Sequence, residues 1–260
     1  MRTFVLVHGA WHGPWCWDRL IPALGARGHR ATAVELPCDQ VDATTDDYLD
    51  AIEAGTTDPE DTVLVGHSLA GLLTPIVAGR RTVRELVLLA ALLPLPGSSW
   101  REQVSSLHPM TNGYEENYLP RRRVDELGRT LWRPEDAAEV FYQDCTSEDT
   151  AEAVAQLRPQ GPAPIVERTP LIETPSVPIR YIACTQDRAV SPGWGAATAR
   201  ERFGATVEWF DASHSPFWSR PDDLAEVLVK PHRNLSGSQS LRAPETSLCH
   251  QSTPRNSTRG

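Results

Sequence analysis

The chain has 260 residues, enough for one core of ordinary size, with 40% apolar and 23% charged residues. A formal charge of −9 without a dense Lys/Arg stripe excludes a phosphate-backbone partner, so no nucleic acid is expected. The five cysteines have no paired short spacing, which points to reduced thiols and the cytoplasm, and to neither a disulfide framework nor a metal site.

The chain opens on an apolar run at residues 4–7, too short for a signal segment or a membrane span, so no membrane association is expected. Short β-branched runs then alternate with helical patterns, the signature of βαβ units and a parallel sheet. Strands are expected at residues 4–7, 31–35, 62–65, 85–90, 179–184 and 206–210. Most are continuous apolar runs, as in strands covered by helices on both faces.

A first helix is expected from Pro14, a residue suited to the opening turn, to Gly28, suited to closing it. Between them Trp17, Leu20, Ile21 and Leu24 recur with helical spacing. A second helix, at 45–54, carries Tyr48, Leu49 and Ile52 on one face. A third follows Ser68 with Leu72, Leu73, Ile76 and Val77, and Pro75 is expected to kink it.

Residues 94–178 break this rhythm with scattered aromatics, helical patterns near 134–145 and 148–157, and a proline-rich return. An insertion there reads as a helical cap placed before the last two strands, over the edge where open α/β sheets carry their sites. The expected division is a core of residues 1–93 and 179–230, a cap of 94–178 and a disordered tail of 231–260. The fold class is α/β: about six mainly parallel strands flanked by helices.

The segment Gly66-His67-Ser68-Leu69-Ala70-Gly71 lies between an apolar strand and a helix. A serine on so tight a turn has its hydroxyl thrust above the sheet, and small neighbours are needed where strand and helix pass closely. The usual pattern is G-x-S-x-G; here Ala70 takes the last position and Gly71 follows.

A serine hydroxyl needs a base within hydrogen-bond reach and a group that orients the base. In the expected fold these follow in chain order, acid then histidine, each past the end of its own strand. Asp187 follows the 179–184 strand and His214 follows the 206–210 strand. Asp211 is a rival acid close to His214. His67 reads as structural, His8 and His12 as structural or pocket-lining, and His29, His232 and His250 as surface residues. Donors for an oxyanion are expected from the backbone N–H groups of Ala10, in the glycine-rich loop after the first strand, and of Leu69.

The stretches HGAWHGPWCWDRL, GHSLAG, CTQDRAVSP and DASHSPFWSRPDDLAEVL together resemble the plant methyl-ester esterase and hydroxynitrile lyase group of the α/β-hydrolase superfamily. Short bacterial α/β-fold hydrolases are similar to it as well. The resemblance covers residues 3–230 and is weakest in the cap. It implies a cofactor-free serine triad of Ser68, Asp187 and His214, with Ala10 and Leu69 as the oxyanion donors. The lyases of the group have threonine where this chain has Gly9, and lysine where it has Ser215. Without that lysine no cation stands ready for departing cyanide.

The expected function is hydrolysis of a carboxylic ester, lactone or thioester through an acyl-enzyme. A biosynthetic role in cyclisation, product release or C–C cleavage would use the same residues, and a complete triad argues against a receptor without turnover. Trp11, His12, Trp100, His108, Trp132, Phe141 and Trp218 are expected to line the pocket, for a hydrophobic or aromatic acyl substrate. Trp15, Trp17 and Trp209 are expected to be core residues. The chain is expected to be a monomer or homodimer.

Overall fold

A computed structural model describes residues 1–231. The tail expected at 231–260 lies, from residue 232 on, outside the described residues, as do His232 and His250.

The strands, in chain order, are β1 (Thr3–Val7), β2 (Arg30–Val34), β3 (Thr62–His67), β4 (Glu85–Leu89), β5 (Arg123–Val124), β6 (Thr130–Leu131), β7 (Ile179–Cys184) and β8 (Thr206–Phe210). Six of them form one sheet in the order β2-β1-β3-β4-β7-β8, with every neighbouring pair parallel. Residues 4–7, 63–65 and 86–89 are fully buried, as central strands covered on both faces require. The short β5–β6 hairpin is separate and antiparallel.

The helices are α1 (Leu20–Ala26), α2 (Thr45–Gly55), α3 (Thr74–Arg81), α4 (Trp100–Leu107), α5 (Pro134–Phe141), α6 (Ser147–Ala155), α7 (Ala163–Val166), α8 (Pro192–Phe203), α9 (Pro216–Ser219) and α10 (Pro221–Val229). Among the described residues no helix is long and apolar enough to cross a membrane. Two sequence expectations are corrected, both by proline. The first helix is two pieces, a 3₁₀ turn at Pro14–Trp17 followed by α1. Pro22 has no N–H to bond the carbonyl of residue 18, and its ring would meet that carbonyl in a continuous helix. Likewise Pro75 does not kink a helix but starts α3, after a separate 3₁₀ turn at Ser68–Leu72.

Strand register aligns the loops that matter. Val7 pairs with Gly66, so the loop after β1 emerges beside the turn after β3. Cys184 pairs with Phe210, which brings the loops after β7 and β8 together. At the opposite edge Arg180, 1% exposed, pairs with Glu85 at 2.9 Å and donates to the carbonyls of Val227 and Leu228. It thereby ties the C-terminal end of α10 to the sheet, where a cation also suits the helix dipole. Trp209, expected in the core, is 55% exposed because β8 is an edge strand.

Candidate active site

Ser68 sits directly past β3 with a φ of +52°, the left-handed region that a serine enters at a cost of order 1–3 kcal/mol. The turn is held by the Ser68 carbonyl, which accepts the Leu92 N–H at 2.9 Å. A Cβ on Gly66 would run into the Thr74 side chain, and one on Gly71 into the Leu92 carbonyl oxygen. Ala70 is fully buried without such a conflict, so the tightest approach on that side of the elbow falls one residue later than the usual motif places it.

Ser68, Asp187 and His214 meet in one hydrogen-bonded chain. His214 Nδ1 is 2.8 Å from Asp187 Oδ2, and its Nε2 is 3.0 Å from Ser68 Oγ. The carboxylate only accepts, so Nδ1 carries the proton and Nε2 is left to accept the Ser68 hydroxyl. The other oxygen of Asp187 accepts the backbone N–H groups of Ala189 at 2.7 Å and Val190 at 3.0 Å. All three residues are buried or nearly so, with exposures of 9%, 7% and 2% in chain order. Asp211 is not part of this chain: it accepts hydrogen bonds from Thr185 and Gln186, which hold its carboxyl below the usual range.

The segment after α5 clamps both loops. Gln143 Nε2 donates to the Gln186 carbonyl at 2.6 Å, and Asp144 Oδ2 accepts the Ser213 N–H at 2.8 Å. Each clamp falls one residue before a member of the chain. His67 donates Nε2–H to the His214 carbonyl at 2.9 Å, the structural role expected of it.

The loop after β1 crosses close to Ser68. A Cβ on Gly9 would lie 2.8 Å from Ser68 Cβ and 2.9 Å from His67 Nδ1, so a threonine there would need the loop to shift. The Ala10 N–H has no acceptor among the described residues, and Leu69, in the first turn of a helix, has no preceding turn to bond its N–H. Both residues border the same cavity as Ser68 and His214. Trp11 is held at a φ of +63°, also left-handed, and the surroundings fix it there. Arg158 donates its backbone N–H to the Trp11 carbonyl at 2.9 Å and its Nε–H to the His12 carbonyl at 2.8 Å. His12 in turn donates Nδ1–H to the Ala10 carbonyl and accepts the Tyr142 hydroxyl, both at 2.7 Å. Burial pushes the pKa of His12 down to about 4, that of His8 to about 3, and that of His67 well below the ordinary 6.5. The three imidazoles are neutral hydrogen-bonding struts.

The cavity above Ser68 has a volume of about 280 Å³, at the small end of the ~300–1,000 Å³ typical of ligand sites. Trp11, Trp100 and Phe141 line it, as the sequence suggested. The other four expected lining residues do not. His12 lies beneath the loop, and Trp132 stands behind the wall, edge-on to Trp11 and Phe141. Trp218 faces Trp15 and Arg19 and donates to the Asp149 carbonyl. The His108 side chain is 73% exposed and turns to Glu115. Met110, Tyr114, Leu119, Arg122 and Ile165 line the cavity and were not anticipated. Tyr114 was visible as one of the cap's aromatics, but nothing in the sequence gave its direction. Among the described residues no three His, Cys, Asp or Glu side chains gather as a metal site, and Cys16, Cys38, Cys145 and Cys184 are free.

The sequence profile of the Alpha/beta hydrolase family matches residues 4–227. Salicylic acid-binding protein 2 of Nicotiana tabacum is 32% identical over 256 residues, spanning 88% of this chain and 96% of that protein. Norfluorocurarine synthase 1 of Strychnos nux-vomica is 30% identical over 250 residues (87% and 94%), and methyl jasmonate esterase 1 of Vitis vinifera 27% over 252 (87% and 95%). A solved pyrethroid hydrolase from Sphingobium faniae JZ-2 superposes with a TM-score of 0.69 at 25% identity, covering 87% of this chain and 95% of its own. With the profile spanning nearly all of the described fold, the chain belongs to the alpha/beta hydrolase family.

Proposed function

We propose that the protein is a carboxylic ester hydrolase, with Ser68 as nucleophile, His214 as general base and acid, and Asp187 as the group that fixes the imidazole. The observation that carries this reading is the unbroken chain from Asp187 through His214 to Ser68, opening on a small apolar cavity. His214 Nε2 takes the hydroxyl proton as Ser68 Oγ attacks the ester carbonyl. The developing oxyanion is met by the N–H groups of Ala10 and Leu69. His214 then gives the proton to the departing alkoxide, and the serine ester remains. Water, deprotonated by the same nitrogen, releases the acid and restores Ser68. Each donor of this kind is worth about 3–4 kcal/mol of barrier. Residues 94–178 act as the cap that chooses the substrate, since α4, α5 and α7 contribute much of the cavity wall.

A second reading keeps the triad and changes the role: conversion of a natural-product intermediate. The similarity to norfluorocurarine synthase 1 supports it. A lyase reading has less to stand on. Ser215 supplies no cation beside His214, and Gly9 has no room for a threonine in this loop conformation.

The test is steady-state hydrolysis of p-nitrophenyl and methyl esters of short and aromatic acids. Wild type is expected to turn over several of them, and Ser68→Ala to lose at least ~10³-fold in kcat. Undiminished activity in Ser68→Ala, or a wild type that hydrolyses none, would overturn the reading.

A further inference from the structure

The polar groups on the cavity wall are unevenly composed. Apart from Ser68 and His214, the side chains that can hydrogen bond and face the cavity include Arg101, Ser105, Tyr114 and Arg122, and among the described residues no carboxylate or amide joins them. This is unexpected in a chain that carries a net charge of −9. Neighbouring arginines do find acids: Arg121 pairs with Asp136, and Arg129 with Asp125. Arg101 and Arg122 have no acidic partner within 4.0 Å among the described residues.

Arg122 is the better placed of the two. It is half-buried, and its guanidinium carbon lies 5.7 Å from the Trp11 ring, on the residue next to the proposed oxyanion donor Ala10. The Tyr114 hydroxyl stands beside it. Burial pushes that phenol upward, and the neighbouring guanidinium partly opposes the shift. A guanidinium on an apolar wall, held over an aromatic ring and without a counter-ion among the described residues, offers an anion a planar array of donors in a partly dry setting. Removing it from bulk water without a partner carries a desolvation cost that a bound carboxylate would offset.

We propose that Arg122, assisted by the Tyr114 hydroxyl, forms a carboxylate subsite of the cavity, so that the preferred substrates are esters bearing a second, anionic group. This rests on the ester-hydrolase reading of Ser68. The scissile carbonyl sits at Ser68, while the free carboxylate of a half-ester or similar small acidic ester reaches across the cavity to Arg122. Arg101 and Ser105 stand further out on α4, where Arg101 adds to the positive potential at the mouth.

The experiment compares two esters of matched chain length: p-nitrophenyl valerate and mono-p-nitrophenyl glutarate, which ends in a carboxylate. For wild type, kcat/KM is expected to favour the glutarate ester by about tenfold at low ionic strength, falling as salt screens the charge. In Arg122→Gln the preference is expected to vanish through loss on the anionic ester, and Arg122→Lys to restore part of it. Equal losses on both esters, or a wild-type preference for valerate, would overturn the proposal. A binding arm separates this failure from failure of the ester-hydrolase reading. Calorimetry on Ser68→Ala, which cannot turn the esters over, should detect tighter binding of monomethyl glutarate than of methyl valerate, its neutral counterpart, and the added Arg122→Gln should abolish the difference. A Ser68→Ala protein that does not discriminate monomethyl glutarate from methyl valerate would overturn the subsite even if ester turnover is normal. Discrimination without any turnover would sustain the subsite and overturn the hydrolase reading alone.

Discussion

At the scale of single residues, the proposed chemistry rests on three side chains, and Gly9, Gly66 and Gly71 make room around them. Asp187 is fully committed: one oxygen to His214 and the other to the Ala189 and Val190 amides. Its role is to keep the proton on Nδ1, so an amide there would reverse the donor pattern and turn the lone pair away from Ser68. Asp187→Asn is expected to lower kcat by about 10⁴-fold, the size of effect that this exchange has in serine proteases. Asp211→Asn, on a carboxylate that faces Thr185 and Gln186, is expected to stay within about threefold. Steady-state kinetics of the two variants decide between the acids; a larger loss in Asp211→Asn would reverse the assignment. Much of this was legible in the sequence, because chain order and strand ends alone put Ser68, Asp187 and His214 on one edge. The direction of an aromatic ring was not. Trp132 and Trp218 have the composition of pocket residues, yet they pack behind the wall and beneath α6, positions set by tertiary packing.

At the scale of elements, the loop after β1 is shaped from outside itself. Its sequence, rich in glycine, permits many conformations; Arg158, which follows α6, selects one by holding the Trp11 and His12 carbonyls. The guanidinium also donates to the Leu36 carbonyl and pairs with Glu35 and Asp39, so it joins the loops after β1 and β2. Arg158 does not line the cavity. Its removal should therefore loosen the loop of the proposed oxyanion donor Ala10 without changing the walls of the cavity. We expect Arg158→Met to lower kcat by roughly 10- to 100-fold while KM changes less than about threefold. A rise in KM with kcat preserved would mean that the residue serves substrate binding instead. The sequence held no signal for this link, because it joins positions far apart in the chain. The same holds for the Gln143 and Asp144 clamps and for the β5–β6 hairpin, whose strands are too short for alternation to register. The split of the first helix, by contrast, was readable: Pro22 stood in the pattern, and its missing N–H decides the break.

At the scale of the whole molecule, the fold around the site depends on buried histidines that stay neutral. An imidazole in the unfolded chain takes its proton near pH 6.5, whereas His12 and His8 hold out to about 4 and about 3 in the fold, and His67 is likewise lowered. As pH falls below about 6.5 the unfolded chain binds protons that the folded one refuses. The stability these groups contribute is therefore present above that pH and is lost on acidification towards the folded values. Each contributes a slope of up to about 1.4 kcal/mol per pH unit, and three together about 4 kcal/mol, a large part of a typical stability. Urea midpoints are expected to be level above pH ~7 and to fall steeply between about pH 6.5 and 5.5, a window where ordinary carboxylates scarcely titrate. A level midpoint across that window would show that these histidines are accessible to protons in the fold.

The proposed hydrolysis passes through a covalent bond to Ser68. The most direct measurement is intact-protein mass spectrometry after rapid acid quench of the wild type with a p-nitrophenyl ester, followed by peptide mapping. The expected result is one added acyl group per chain, located on Ser68, absent in Ser68→Ala and released on a longer incubation before quench. An adduct on another residue, or turnover by a Ser68→Ala protein that forms the same adduct, would contradict it.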